Sequence, residues 1–153
     1  MQLIDFLSVS TIHVQLHAPS KKRALEIMSQ LAAAKLNNTQ RTSEILDALL
    51  QRERLGSTVI GNGVAIPHCR LPGLEHPIIV MITLARGIDF QDHAHQPVDL
   101  LIGLIIPNTS DDLYLSLLAN IAEQCSHLPF IKQIKAAESE KTLYNIMANL
   151  AHV

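Results

Sequence analysis

Two runs, PIIVMITLA (77–85) and PVDLLIGLIIP (97–107), constrain this chain more than anything else in it. Both are rich in β-branched residues and nearly uninterrupted in apolar ones, as strands read when both faces are covered. Neither is long enough to cross a bilayer, for which a helix needs about 20 apolar residues. They therefore demand a sheet with helices on both sides, and the flanking sequence has to supply those helices.

It does so on either side. Residues 10–16, STIHVQL, alternate in polarity: Ile12, Val14 and Leu16 point one way, as on a half-buried strand. Ser20 is placed to cap a helix in which Ala24, Leu25, Met28, Leu31 and Ala32 recur at helical spacing, ending at Asn37-Asn38. A second helix is expected over 42–54, with Ile45, Leu46, Leu49 and Leu50 inward. Residues 55–77 then carry Gly56, Gly61, Gly63, Pro67 and Pro72, which predicts a long structured connection with a short strand at 64–66. RGIDFQDHAHQ reads as a polar connection between the two apolar runs. After Pro107 the period returns to helical: Ser110 as cap, Asp111 and Asp112 in the first turn, and Leu113, Leu117, Leu118, Ile121 and Ala122 as the buried stripe. Helices near 129–136 and 139–151 close the chain. The sum is a single three-layer α/β/α domain with a mixed central sheet, spanning 1–153, a usual domain size.

Composition excludes several functions. With 12 basic and 14 acidic residues the net charge is −2, which gives no electrostatic reason for binding nucleic acid or an anionic membrane. Cys69 and Cys125 share no CxxC motif and predict a reduced, cytoplasmic protein. The opening MQLIDFLSVS lacks the basic and apolar regions of a signal peptide. The chain is 48% hydrophobic with only 3% aromatics and no Trp, so the core should be aliphatic.

One segment is organised for chemistry. In GNGVAIPHCR (61–70) a histidine follows a proline at the end of an apolar run that two glycines introduce. A neutral imidazole offers a free lone pair, so His68 is able to act as metal ligand, base or nucleophile. Pro67 stiffens the approach to it. Gly61 and Gly63 can adopt positive φ and turn backbone N–H groups toward an anion. Ser57 and Thr58 offer hydroxyl donors, and Arg52 and Arg54 offer guanidinium groups that match phosphate oxygens. Neither GxGxxG nor GxxxxGK[ST] occurs.

The stretch RERLGSTVIGNGVAIPHCRL, residues 52–71, resembles the phosphorylation segment of the fructose/mannitol-type IIA domains of the bacterial phosphoenolpyruvate-dependent phosphotransferase system. It is nearest to the nitrogen-regulatory branch, with its RE..GSTGIGNGIAIPH pattern. The resemblance extends over nearly the whole chain: PVDLLIGLIIP is similar to that family's PVDLLFxLLVP strand, GIDFQ to its G.DF turn and LYNIM to its last helix. It implies a phosphotransferase component in which His68 accepts a phosphoryl group from a phosphohistidine carrier (HPr- or NPr-like). Arg52 is the arginine expected beside it, and Ser57 and Thr58 help bind phosphoryl oxygens. No cofactor and no metal are implied. The implied partners beyond the carrier are regulatory targets such as potassium-transport or sensor proteins. One position departs from the family: Tyr114 stands where a second histidine is expected. A phenol donates a hydrogen bond but carries no cationic charge.

Other features weigh less. His93 and His95 with Asp92 alternate as metal ligands on a strand do, but a solvated loop accounts for them without four-ligand logic. Cys69 beside His68 invites a thiol nucleophile that lacks a dedicated base. His76, His127 and His152 adjoin turns or the terminus and are expected to be exposed. Carrier docking is expected on an apolar ring around His68 including Val59, Val64 and Leu71. Three alternatives to the regulatory relay remain at this point: a sugar-transport IIA component, a binding module without catalysis, and a metal hydrolase.

Overall fold

The computed structural model describes residues 2–108 and 111–150. Short 3-10 turns (Leu3–Phe6 and Val9–Thr11) precede strand β1 (Ile12–Leu16), and helices α1 (Lys21–Lys35) and α2 (Thr42–Leu55) follow. Three short strands come next, β2 (Val59–Gly61), β3 (Val64–Ala65) and β4 (His68–Leu71). The long strands β5 (Ile78–Asp89) and β6 (Pro97–Pro107) lead to helices α3 (Asp111–Gln124), α4 (Leu128–Ala136) and α5 (Glu140–Leu150). Among the described residues six strands form one mixed sheet in the order β1-β5-β6-β3-β2, with β4 also on β6.

The two apolar runs pair antiparallel with each other, Met81 opposite Ile102 and Ile82 opposite Leu101. Their pleat sends alternate residues into two separate cores. Ile79, Met81, Leu100, Ile102 and Leu104 pack with Leu117, Ile121, Ile134 and Leu143 of the C-terminal helices. Val80, Ile82, Leu101 and Ile105 pack with Leu25, Met28, Ile45 and Leu49 of α1 and α2. Each fully buried leucine or methionine contributes about 1.5–3 kcal/mol of transfer free energy. The close approach of α1 depends on Gly103, whose missing Cβ would collide with the Met28 thioether. The result is the expected three-layer α/β/α arrangement.

Four sequence expectations change. Leu16 does not share a face with Ile12 and Val14. Gln15 takes φ 58°, the β1–β5 register shifts there, and Leu16 packs into the opposite core. The Thr83 hydroxyl accepts the freed Gln15 N–H at 2.8 Å, which keeps this bulge hydrogen-bonded. Strand β5 does not stop at residue 85: it continues to Asp89 through Ile88↔Val98, because Ile88 and Phe90 keep the period-two burial after a register shift. The connection 55–77 contains three strands where one was expected. Ala122 is exposed, so the buried stripe of α3 is narrower than its apolar sequence. The expected caps at Ser20 and Ser110 fare differently: Ser20 Oγ accepts the Arg23 N–H at 3.2 Å, whereas Ser110, like His152, lies outside the described residues.

Candidate functional site

Strand β6 uses one edge twice. Its first half pairs with β3 (Val64↔Leu100) and its second half with β4 (His68↔Leu104). Between them the chain passes through Ile66 and Pro67. Pro67 has no N–H to satisfy, and its carbonyl accepts the Leu104 N–H at 2.9 Å. His68 therefore begins a strand anchored to the centre of the sheet, not a turn, and it is only 7% exposed.

The imidazole is fixed through both nitrogens. Its Nδ1 lies 2.7 Å from the Ile66 carbonyl oxygen, which can only accept, so Nδ1 carries the proton. Nε2 consequently holds the lone pair, and the Arg52 Nε–H donates to it at 3.1 Å. Burial, above all, lowers the His68 pKa below its ordinary 6.5; the Ile66 carbonyl opposes this, Arg52 adds to it, and Glu53 opposes it. The ring is thus neutral, one tautomer, with its nucleophilic nitrogen facing a guanidinium.

The tautomer is set from behind. Glu53, on the last turn of α2, pairs with Lys21 Nζ at 2.9 Å and accepts the Thr58 hydroxyl at 2.6 Å. The Thr58 carbonyl accepts the Ile66 N–H at 2.9 Å, and the Ile66 carbonyl in turn receives His68 Nδ1–H. A charged pair under α1 and α2 is linked in this way to the proton position on the ring. Arg52 is held separately: its Nη1 donates to the Gly56 carbonyl at 2.8 Å.

These groups open onto a cleft of about 590 Å³ lined by Ala48, Gln51, Arg52, Arg54 and Leu55 of α2, His68, Cys69 and Arg70 of β4, and Tyr114 of α3. Three guanidinium groups therefore line one depression, a setting suited to an anion. The Tyr114 ring lies 5.5 Å from the His68 ring at 52°. Arg70 also lies over the Tyr114 ring, its Cζ 5.0 Å from the ring centre.

Of the residues the sequence singled out, the fold brings His68, Arg52, Arg54 and Tyr114 into this cleft. Ser57, Thr58, Gly61 and Gly63 do not line it. Ser57 is exposed and accepts the Val59 N–H at 3.2 Å, while the Thr58 hydroxyl is committed to Glu53. Asn62 (φ 57°) and Gly63 (φ 75°) form the two-residue turn of the β2–β3 hairpin, the turn type for which Asn-Gly is preferred. Val64 and Leu71 are completely buried, so the expected apolar docking ring is corrected; the exposed apolar residue of the cleft is Leu55, at 85%. Cys69 is buried and its thiol pushed up to about 12, which keeps it protonated. His93 and His95 are exposed, and among the described residues no three His, Cys, Asp or Glu gather as metal ligands. Nor is any helix among them long and apolar enough to cross a membrane.

Sequence reasoning missed Arg70 and Glu53. Arg70 stands two residues after His68, hence on the same strand face, but that signal appears only once 68–71 is recognised as a strand.

The family profile described as "Phosphoenolpyruvate-dependent sugar phosphotransferase system, EIIA 2" matches residues 5–150. The chain is 37% identical over 148 residues to a nitrogen regulatory protein of Klebsiella oxytoca, covering 96% of this chain and 90% of that one. It is 28% identical over 153 residues to a fructose-specific EIIA component of Haloferax volcanii, covering 96% and 99%. Its fold superposes on the crystal structure of the nitrogen regulatory protein IIA-Ntr of Neisseria meningitidis with a TM-score of 0.87 at 26% identity, over 95% and 98% of the two chains.

Proposed function

Because the chain belongs to the EIIA 2 family of the phosphoenolpyruvate-dependent sugar phosphotransferase system, and so to a phosphoryl relay, we propose that His68 is its phosphoryl acceptor and that residues 1–153 act as one such domain. The observation that carries this is the pair of His68 bonds: Nδ1–H on the Ile66 carbonyl and a lone pair on Nε2 facing Arg52. Nε2 attacks the phosphorus of a phosphohistidine carrier of the HPr or NPr kind. The P–N bond of the donor breaks with its electron pair staying on the carrier's imidazole, and a P–Nε2 bond forms. Positive charge developing on the His68 ring is stabilised through Nδ1–H by the Ile66 carbonyl. Arg52 yields Nε2 and receives the phosphoryl oxygens instead, a shift of one hydrogen-bond partner on the same guanidinium. Positioning and charge account for this transfer without a metal.

The role we favour is regulatory. Phosphorylation adds up to about two negative charges to a cleft lined by arginines, which reverses the potential a partner meets there. Candidate readers of that change are potassium-transport or sensor proteins. The similarity to a fructose-specific EIIA component supports a second reading, supply of a sugar transporter. A cytoplasmic setting fits either role.

Intact mass after incubation with phosphoenolpyruvate, enzyme I and the carrier tests the acceptor. Wild type gains one acid-labile phosphoryl group and His68→Ala gains none; a gain that survives His68→Ala would place the acceptor elsewhere. Adding a fructose-type IIB domain separates the two roles, since only a sugar component passes the group to it efficiently.

A further inference from the structure

Resting on the reading that His68 carries the phosphoryl group, we propose that Arg70 is a second guanidinium of the phosphoryl site and that Tyr114 is the residue positioning it. Charge creates the need. A phosphoryl group brings up to about two negative charges against a histidine that is only 7% exposed, so the protein around it has to supply part of the compensation. Arg52 carries one positive charge, and its Nη1 is already engaged by the Gly56 carbonyl. Arg54 also lines the cleft but, two residues on along α2, leaves the helix in a different direction from Arg52. Glu53, ion-paired with Lys21, faces the site from behind and contributes no cation. Tyr114, the residue of α3 that meets the His68 ring, contributes none either.

Arg70 meets the need from the right place. It is two residues beyond His68 on β4, so both side chains leave the same face of one strand. That strand is locked to β6 through His68↔Leu104 and Arg70↔Ile106, which gives the two stems a rigid common base. Both side chains bear on a single phenol ring, the imidazole at 5.5 Å between centroids and the Arg70 Cζ at 5.0 Å. Stacking over the ring restricts the guanidinium, and both groups line the same cleft. A tyrosine at this position thus supplies no charge itself but orients one that the neighbouring strand supplies.

The test loads His68 without any carrier, using phosphoramidate: the P–N bond of the reagent breaks with its electron pair leaving as ammonia, and the P–Nε2 bond forms. The second ionisation of the bound phosphoryl group is then followed by 31P NMR, which reports the charges around it and is insensitive to stability. Removing a cation by Arg70→Gln should make the group about tenfold less acidic, as loss of one charge-assisted contact implies. Arg70→Lys should restore most of that. Tyr114→Leu should shift it in the same direction and Tyr114→Phe, which keeps the ring, should not. Arg70→Gln combined with Tyr114→Leu should be no worse than Arg70→Gln alone.

An Arg70→Gln protein titrating within twofold of wild type would overturn the inference, as would full additivity of the two substitutions. Loading by phosphoramidate with an altered Arg70→Gln titration, but no uptake from the carrier, would sustain the inference while sinking the relay reading. No phosphoryl on His68 from either donor would overturn both.

Discussion

The two ends of the thirteen-residue stretch 59–71 are built from similar materials and do opposite things. At the hairpin end, the groups around Gly63 are tied to one another within the protein. Lys135 Nζ pairs with Asp99 Oδ1 at 2.6 Å and donates to the Asn62 carbonyl at 2.8 Å, and the Gly63 carbonyl accepts from both Asp99 and Leu100. At the His68 end, one side of the imidazole is fixed as firmly, but the other faces a single guanidinium and an open cleft. A contiguous motif therefore divides into a structural half and a chemical half. An ion pair and internal backbone hydrogen bonds mark the first, and a lone pair held by an exchangeable partner marks the second.

Substitutions at each end should separate the two halves, beginning with the most damaging. His68→Ala should abolish phosphoryl uptake completely, read by intact mass, with the protein still folded by circular dichroism. Gly63→Ala should do the reverse. A Cβ there would lie 2.7 Å from Asp99 Oδ1 and 2.8 Å from Lys135 Nζ, at a φ of +75°. Left-handed strain of about 1–2 kcal/mol plus the displaced ion pair should lower stability by about 2–4 kcal/mol in urea unfolding. Uptake per folded molecule should stay within about twofold. If Gly63→Ala instead loses uptake while keeping its stability, the hairpin belongs to the chemical half.

Smaller effects sharpen the boundary. Arg52→Gln should slow transfer from the carrier by about ten- to a hundredfold, the worth of a hydrogen bond to a charged group. Lys135→Met should cost about 1 kcal/mol or less, because its ion pair is partly solvated, and should leave transfer untouched.

The fold was legible in the sequence wherever periodicity carried it. The apolar runs of β5 and β6 predict a core on each face of the sheet, since burial on two faces leaves no polar positions to confuse the period, and the stripe of α1 and the pattern of α2 predict one of the two. Legibility failed where one residue resets the period. Gln15 at positive φ turns Leu16 over, and nothing in STIHVQL announces it. At the site, His68, Arg52, Arg54 and Tyr114 are readable from residue type and resemblance. The linkage Lys21–Glu53–Thr58–Ile66 is not, because it joins α1, α2, the residue before β2 and the link between β3 and β4 through contacts only the fold creates. Gly61 and Gly63 illustrate the converse: glycines suited to an anion nest serve a hairpin, whose Asn62-Gly63 signal was present in the sequence.

The smallest effect concerns pH, and it tests which influence dominates the chemical end. Burial lowers the His68 pKa below 6.5, while Glu53 and the Ile66 carbonyl pull the other way. For a histidine buried in its neutral form, the unfolded chain binds the proton more readily. The contribution to stability is therefore complete above pH 6.5 and diminishes as the pH falls from 6.5 toward the folded pKa. Wild type should lose stability between pH 7.5 and 5.5 more steeply than His68→Gln, which has no proton to bind there. The same shift extends the pH range over which the Nε2 lone pair is available, so phosphoryl uptake should persist to lower pH than a solvated imidazole would allow. NMR titration of the His68 ring checks both consequences at once. A midpoint above 6.5 would reverse the signs and mean that the Ile66 carbonyl and Glu53 together, not burial, govern the ring; Glu53→Gln should then bring the midpoint part of the way back down.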